Sequence, residues 1–480
     1  MFWIFIAYLA LTMLLGLWQA LRTKSQSDFV LGGLQLPGWM LALSERATGE
    51  SAWLLLGFSG MVYATGLSGI WIGLGCLTGI TTAWVALARK FRQEAKQYNA
   101  LTMPEYFSAK FPRKANTIRL LSTFIIVFFF IFYVGAQFNG AGEKIVPIFG
   151  LDPLWGQIVA AAVILAYATV GGFISVVAVD TFQSLLMIAT LVLTPIIMLI
   201  HVLGQPTDFG AALAAAGPGM DSLTGTTVGF AAGLLIFNNF AWFFGYLGGQ
   251  PQLNARFMGM RDDRQVKIGR NIAVLWTVLA YTGVVLIGLC ALVLYGPNAV
   301  TDSEAILPHV IKDLFPWWLA GILLAGAAAA MISTAQSMLL VAASSISQDV
   351  FKGAMRKGKA DDRTVLAVSR ISVVVIGALA LALSLFSPAK IYSLVSHAWA
   401  GIGCSFAPAV LLSFYWDRFS SRGVIAALLT GLVTTVVWIV TGWDKTITAM
   451  AVTFFAAIGM AILVTLLTAK EERTAVPAVD

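Results

Sequence analysis

Long apolar runs recur along the whole chain and are separated by short polar segments. Residues 158–168 and 185–200 are two such runs, and neither contains a charged side chain. A helix needs about 20 predominantly apolar residues to cross the hydrocarbon layer of a bilayer. Because apolar and polar residues do not alternate with a period of two, the pattern excludes an outer-membrane β-barrel. It predicts an all-α polytopic membrane protein.

The runs predict about thirteen transmembrane helices, which we number spans 1 to 13. Their approximate limits are 2–21, 37–65, 69–88, 117–142, 154–174, 180–203, 225–249, 271–295, 315–347, 366–386, 391–415, 423–441 and 446–468. Spans 2, 4 and 9 are longer than a single crossing requires.

The overall composition agrees with this pattern. Of the 480 residues, 59% are hydrophobic and 11% are charged, whereas a soluble protein carries about 25% charged residues. The mean hydropathy of +0.85 is that of a membrane protein. Cys76, Cys290 and Cys404 each lie inside an apolar run, so we interpret them as core residues rather than as a disulfide framework.

The net charge of +7 does not indicate a nucleic-acid partner, because the basic residues lie in short segments between the apolar runs. One set of alternate loops, together with the tail, contains 23 lysines and arginines, whereas the other set contains four. Such an excess marks the cytoplasmic side. We therefore expect an amino terminus outside and a carboxy terminus in the cytoplasm, in the plasma (inner) membrane of a bacterium.

Two spans are interrupted near their middles. Span 2 has three charges and a glycine within residues 45–50, and span 7 has three glycines and a proline within residues 245–251. Glycine and proline favour a break in a helix, and freed backbone at membrane depth must face protein or a wet cavity. Because the breaks are five spans apart, we expect a transporter of two inverted repeats with its site between them.

This spacing divides the chain into four regions. Residues 1–36 hold a peripheral first helix and a cytoplasmic loop, and residues 37–203 form the first repeat, spans 2 to 6. Residues 204–415 form the second repeat, spans 7 to 11. Residues 416–480 hold the peripheral spans 12 and 13 and a short cytoplasmic tail.

The break in span 2 holds the strongest candidate cluster, which consists of Glu45, Arg46 and Glu50. A charge at the centre of a membrane helix costs about 2.5–3.5 kcal/mol, so three of them need a compensating role. One interpretation is a salt bridge between Arg46 and Glu50, which are four residues apart on a helix. The other interpretation, compatible with such a pair, is an ion or solute site.

Spans 6, 9 and 11 supply further polar candidates. Ser333 and Thr334 are adjacent in span 9. A single hydroxyl usually bonds its own backbone, but two hydroxyls beside freed carbonyls suit a dehydrated hard cation. Asp180 opens span 6, where it either favours the helix amino terminus or binds an ion. His397 is either a neutral core residue or part of a proton relay.

Aromatic residues near the breaks serve either packing or contacts to a ligand; these are Tyr133, Trp242, Phe243 and Tyr246. The chain has no metal-binding spacing of Cys and His, no phosphate-binding G-x-x-x-x-G-K-[ST] loop and no nucleophile elbow. We therefore expect neither an enzyme nor an ATP-driven pump, and no cofactor.

Several ordered motifs resemble the sodium:solute symporter family, and most closely its sodium/proline symporter branch. They are residues 28–33, 51–57, 99–107, 169–173, 249–251, 255–258, 331–334 and 398–401. The likeness extends from about Tyr8 to Trp416. It implies a LeuT-type five-plus-five inverted repeat with two broken helices, and transport by alternating access.

The resemblance also implies site residues. The coupling sodium ion would bind carbonyls of the span 2 break together with a carbonyl and two hydroxyls of span 9, at Ala47, Glu50, Ala330, Ser333 and Thr334. A second sodium site of some members would involve Asp180, Ser333 and Ser337, with Gln336 in place of a further serine. We expect solute contacts from Thr48, Ser51, Tyr133, Gln137, Trp242 and Tyr246.

The chain departs from the proline branch in the break of span 2. That branch has an aspartate where this chain has Gly49, a methionine where it has Glu50, and no counterpart of the Glu45–Arg46 pair. The acidic group has therefore moved by one residue, or it serves another purpose.

Together these features predict a secondary active transporter that couples sodium to a small organic solute, such as the amino acid proline. The alternatives are a proton-coupled symporter that uses Glu50 or His397, and a transporter-like nutrient sensor. The expected partners are the solute, Na⁺ and the lipid bilayer, without nucleic acid. The oligomeric state stays open.

Overall fold

The computed structural model describes residues 1–20, 26–32, 36–206, 208–386 and 390–468, which form helices joined by loops. Within these ranges, β-structure is limited to one isolated bridge between Leu36 and Met260. The basic loop residues Arg22 and Lys24 and the predicted cytoplasmic tail lie outside the described residues. The predicted all-α fold is confirmed.

The helices follow the order of the predicted spans. Spans 1 to 6 comprise Phe2–Ala20; Gly38–Gly49 with Trp53–Phe58 and Ser59–Thr65; Ile70–Thr82 with Ala83–Leu87 and Ala88–Gln97; Ala115–Asn139; and Pro153–Leu203, which holds spans 5 and 6. Spans 7 to 13 comprise Gly229–Phe240 with Trp242–Gly245 and Pro251–Met258; Asp263–Tyr295; Trp317–Ser344; Asp362–Phe386; Ile391–Tyr415; Ser421–Val440; and Ala449–Leu467. The connections contain the shorter helices Gln26–Leu31, Met103–Lys110, Phe209–Ala216 and Ile306–Leu314.

Ten helical stretches in the described part of the chain are long and apolar enough to cross a membrane. One of them, Trp53–Gln97, joins the second half of span 2 to span 3. The shorter apolar helices Pro153–Ala166 and Gly229–Gly245 correspond to spans 5 and 7. The protein is therefore a multi-pass membrane protein.

Spans 5 and 6 are joined without the gap that we expected. Pro153–Leu203 is one helical stretch with a kink at Gly172, whose φ of +62° is a left-handed conformation that glycine adopts most readily. The helix resumes at once, so Asp180 lies about two turns inside span 6. The interpretation of Asp180 as a residue that favours a helix amino terminus is therefore wrong.

Both predicted helix breaks are present. The first half of span 2 ends at Gly49, and the helix resumes as the wider π-helical segment Trp53–Phe58, a distortion that often accompanies functional sites. Span 7 is interrupted after Gly245, and Gly248 within the break has a φ of +75°. Pro251 begins the second half, at the first helical position, where an N–H would have no partner within the helix.

The central and peripheral spans differ in burial. The most apolar 18-residue windows of spans 9 and 11 are each 83% buried, against 22% for span 1, 33% for span 12 and 39% for span 13. Spans 1, 12 and 13 therefore present most of their apolar surface outward, whereas span 9 is enclosed by protein. Its polar side chains thus face other helices rather than lipid.

Glycines permit close helix crossings in this bundle. A Cβ atom added to Gly283 of span 8 would lie 1.9 Å from the backbone oxygen of Leu191 in span 6. Helices in membranes associate largely through such close packing of small residues. By contrast, a Cβ atom added to Gly459 of span 13 would have no other atom within 4 Å.

We expect Gly283→Ala to destabilise the protein, because the added methyl group must separate spans 6 and 8. Overpacking of this kind typically costs about 1–3 kcal/mol, which would lower the midpoint of thermal unfolding of the purified protein in detergent. Gly459→Ala is the matched control and should leave the midpoint unchanged or slightly raised, because alanine favours a helix. Equal midpoints for the two variants would contradict the close crossing.

Candidate functional site

The breaks of spans 2 and 7 face each other in the middle of the bundle. The indole ring of Trp53 stacks on that of Trp242, with centroids 4.2 Å apart and planes 11° apart. The Tyr246 hydroxyl donates a hydrogen bond of 3.4 Å to Oε2 of Glu50. All four side chains are buried. Two segments that are almost 200 residues apart in sequence thus form one polar and aromatic centre.

Hydroxyl groups of span 9 bond directly to the carbonyls exposed by the break in span 2. Ser333 Oγ donates to the Ala47 carbonyl at 2.9 Å and to the Ala330 carbonyl at 3.1 Å. Thr334 Oγ1 donates to the Thr48 carbonyl at 2.9 Å. Four of the five predicted sodium ligands, Ala47, Ala330, Ser333 and Thr334, therefore lie together, completely buried.

This oxygen cluster has the chemistry that a small hard cation requires. Its ligands are neutral carbonyl and hydroxyl oxygens, which suit sodium better than a soft metal. Each hydroxyl can rotate its hydrogen away and present a lone pair to a bound ion. The fifth predicted ligand, Glu50, ends the same half-helix, and its N–H donates to the Arg46 carbonyl at 3.1 Å.

Asp180 is the centre of a second buried network. Its Oδ2 accepts from Ser44 Oγ at 2.6 Å, from Arg256 Nη2 at 3.0 Å and from Thr48 Oγ1 at 3.2 Å. Its Oδ1 accepts from Gln336 Nε2 at 2.6 Å. The side chain of Thr48 thus points toward Asp180, apart from the other predicted solute contacts.

The guanidinium group of Arg256 lies beside Asp180, with Nη2 3.0 Å from Oδ2. Its Nη2 also donates to Ser337 Oγ at 2.6 Å, and its Nε donates to Ser44 Oγ at 3.1 Å. Asp180 and Ser337 are therefore close together as predicted: Ser337 Oγ donates to Oδ2 of Asp180 at 3.4 Å, and Arg256 Nη2 donates to both residues. We did not single out Arg256 from the sequence, because the predicted span 7 ends at residue 249 and Arg256 was counted among the basic residues of the loop that follows. The structure instead places it in the buried helix Pro251–Met258.

The three charges of span 2 form a compact knot. Arg46 donates to both oxygens of Glu45, with Nε 2.5 Å from Oε2, and its Nη1 donates to Oε1 of Glu50 at 2.6 Å. Trp84 Nε1 donates to Glu45 at 3.1 Å, and the Tyr281 hydroxyl donates to Oε2 of Glu50 at 2.7 Å. The predicted Arg46–Glu50 salt bridge is present, and the knot holds two carboxylates for one guanidinium.

The other predicted solute residues surround the break in span 2. Ser51 Oγ and the Tyr133 hydroxyl share a hydrogen bond of 3.1 Å, and Gln137 Oε1 accepts from the Ala52 N–H at 3.0 Å. Trp242 Nε1 donates to the Tyr392 hydroxyl at 3.1 Å. The aromatic partners Trp53, Tyr281, Tyr392 and Trp399 were missed as site residues, because isolated rings in apolar spans look like ordinary packing.

His397 lies apart from this centre. Its Nε2 is 3.0 Å from Oδ2 of Asp444, and its side chain is 31% exposed, so it is not a lone core histidine. Asp444 belongs to the loop between spans 12 and 13 and also accepts from the Ala449 N–H at 2.6 Å. Burial alone would raise the pKa of Asp444, but the hydrogen bonds from His397 and Ala449 hold it below its ordinary value.

Comparisons with known proteins identify the family of this chain. The model of the sodium:solute symporter family matches residues 29–431. The osmoregulated proline transporter OpuE of Bacillus subtilis is 35% identical over 91% of this chain and 88% of its own length. The high-affinity proline transporter PutP of the same species is 34% identical over 95% of this chain and 96% of its own length. The sodium/proline symporter of Escherichia coli is 33% identical over 95% of this chain and 91% of its own length.

Solved structures share the fold. A Na⁺-coupled sialic acid symporter in a substrate-bound outward-open state superposes with a TM-score of 0.84 at 18% identity, covering 99% of this chain and 98% of the other. MhsT in complex with L-phenylalanine gives a TM-score of 0.56 at 16% identity, covering 89% of this chain and 97% of the other. The predicted LeuT-type architecture with two broken helices is thereby confirmed. Sequence and fold agree that the chain belongs to the sodium:solute symporter family.

Proposed function

We propose that the protein is a sodium-coupled symporter that carries proline or a closely related small amino acid into a bacterial cell. The observation that carries this proposal is the convergence of the Ser333 and Thr334 hydroxyls on the carbonyls of the span 2 break. The curated relatives that match most of the chain are named as proline transporters or sodium/proline symporters. The names of these relatives support proline or a related amino acid as the solute, and the oxygen cluster supports sodium as the coupling ion.

The proposed ion site links two helices that must separate during alternating access. Ala47 and Glu50 belong to the first half of span 2, and Ala330, Ser333 and Thr334 belong to span 9. Sodium bound between them would stabilise the conformation in which the two spans are together, and its release would favour their separation. A ligand shifts such an equilibrium only through its different affinity for the two states.

The proposed solute site lies next to the ion site, among Ser51, Tyr133, Gln137, Trp242 and Tyr246. Ser51 follows directly after Glu50, so the two sites share the broken segment of span 2. Thr48 would act by connecting the ion site, through its carbonyl, to Asp180, through its hydroxyl. Shared backbone of this kind gives a physical route for sodium to strengthen solute binding.

The proposed topology follows from the charges. With the amino terminus outside and the carboxy terminus in the cytoplasm, the Lys- and Arg-rich loops face the cytoplasm. The repeats would be residues 37–203 and 204–415, flanked by the peripheral regions 1–36 and 416–480. Spans 1 and 12 have the lowest burial of the ten stretches, 22% and 33%, which supports their peripheral place, whereas span 13 shares its 39% with spans 6 and 10 of the repeats.

We expect Ser333→Ala and Thr334→Ala each to raise the sodium concentration needed for half-maximal uptake in proteoliposomes. Each substitution removes one ligand oxygen. If the lost ion–oxygen contact is worth as much as a hydrogen bond to a charged group, about 1.5–3 kcal/mol, the change is roughly tenfold to a hundredfold. Ser345→Ala, a buried span-end serine whose hydroxyl has no hydrogen-bond partner among the described residues, is the control. Wild-type sodium dependence in both ligand variants would remove the proposed site.

We expect the pair Asp180–Arg256 to act as a structural ion pair rather than as a second sodium site. Asp180→Asn alone would leave the Arg256 charge buried without its partner, which typically costs about 3–5 kcal/mol, and the unfolding midpoint should fall. Adding Arg256→Gln should restore much of that stability. If Asp180→Asn instead leaves stability unchanged and raises the sodium requirement, Asp180 is an ion ligand.

We expect uptake to be driven by sodium and not by protons, because the Glu50 carboxylate is held by Arg46 and Tyr281. A sodium gradient should drive proline uptake with little dependence on pH near neutrality, in the wild type and, at lower rate, in Glu50→Gln. A pH gradient in sodium-free buffer should drive none. Uptake under the second condition that disappears in Glu50→Gln would instead make Glu50 a proton carrier.

A further inference from the structure

Trp399 of span 11 is completely buried among the rings of the proposed solute site. Its ring centroid lies 4.2 Å from that of Tyr246 and 5.8 Å from that of Trp242. Nevertheless, its indole N–H makes no well-aligned hydrogen bond to any described residue, although the Tyr133 hydroxyl lies within reach of it. A buried indole N–H normally finds a partner, and leaving such a donor unsatisfied is costly. The site therefore contains a buried hydrogen-bond donor that is available to an acceptor group of the solute.

The structure holds this indole in a defined place. A Cβ atom added to Gly245 would lie 3.1 Å from Cε3 of Trp399, so the turn before the span 7 break leaves just enough room for the ring. The start of span 11 is itself fixed, because the Glu304 carboxylate accepts from the N–H groups of Ile391 and Tyr392 at 3.0 and 2.8 Å. A rigid donor of this kind is what a preorganised binding site requires.

The surroundings of the indole favour a negatively charged acceptor. The Tyr133 hydroxyl, which is bonded to Ser51, is within hydrogen-bonding reach of the Trp399 indole, so an acceptor at this place would meet both groups. Ser51 stands at the start of the second half of span 2, and the positive end of a half-helix dipole attracts the carboxylate of a substrate. The indole N–H cannot bind sodium, because it is a donor only.

The opposite charge lies at the hydroxyl of Tyr246, whose ring contacts Trp399. There the Glu50 carboxylate accepts from the Tyr246 and Tyr281 hydroxyls, and its knot with Glu45 and Arg46 contains one more carboxylate than guanidinium. A solute carboxylate would be repelled at that side, whereas an ammonium group would be attracted. The two ends of the site are thus suited to the two ends of a zwitterion.

We propose that Trp399 is a solute-binding residue whose indole N–H donates to the carboxylate of a zwitterionic amino acid, oriented with its ammonium group toward Glu50. This assignment rests on the proposed function, since it requires an amino acid as solute. It adds span 11 to the elements that contact the solute, and it makes the carboxylate, rather than the side chain, the group that Trp399 recognises.

The test measures binding of proline and of prolinamide, in which an uncharged amide replaces the carboxylate, to purified protein in sodium. Trp399→Phe keeps an aromatic ring and removes the N–H. We expect this variant to bind proline about tenfold or more weakly, and to lose clearly less affinity for prolinamide. Trp438→Phe removes an indole N–H that donates to the Ile447 carbonyl in the peripheral span 12, and should leave proline binding unchanged.

Each outcome has a separate meaning. Stabilisation of Trp399→Phe by sodium alone, measured as a thermal shift without solute, establishes that the variant is folded. Unchanged proline affinity in that folded variant, or equal losses for proline and prolinamide, would overturn the role of Trp399 while leaving the proposed symport intact. If Trp399→Phe does not fold, wild-type protein that binds prolinamide as tightly as proline would overturn it instead. Wild-type protein that binds no amino acid in sodium would overturn the proposed function itself.

Discussion

A helix that breaks inside a membrane exposes backbone groups where no water can bind them, and this constraint organises the centre of the protein. In span 2 the freed groups are bonded by side chains from spans 4 and 9, namely Gln137, Ser333 and Thr334. The hydroxyls that stabilise the broken helix are also the proposed sodium ligands. The stability of the break and the affinity for the ion therefore depend on the same few oxygen atoms.

Two buried arginines, Arg46 and Arg256, hold the broken helices to their neighbours in different ways. Arg46 closes a local knot within span 2, which reaches span 8 through Tyr281. Arg256 extends from the second half of span 7 to Asp180 in span 6, Ser44 in span 2 and Ser337 in span 9. Movement of any one of these four helices must alter that network, which makes it a natural point of control for the conformational change.

The sequence predicted what depends on local pattern and on adjacent residues. The order of the spans, both breaks and the Arg46–Glu50 pair follow from apolar runs, glycines and an i, i+4 spacing. The contacts of Arg256 and Trp399 could not be predicted in this way, because their partners are distant in sequence and no local signal identifies them. Asp180 was misplaced for a related reason, since the kink at Gly172 joins spans 5 and 6 without a polar loop.

The buried charges have an electrical consequence. With all five buried side chains ionised, Glu45, Glu50 and Asp180 would contribute three negative charges at the centre and Arg46 and Arg256 two positive ones, and one bound sodium ion would bring the total to zero. A membrane potential acts only on net charge, by about 2.3 kcal/mol per charge and 100 mV for a full crossing. The membrane potential would then have little effect on the conformational change of the loaded transporter. An interior-negative potential would instead push the empty, negative centre outward, toward the state that captures the next ion.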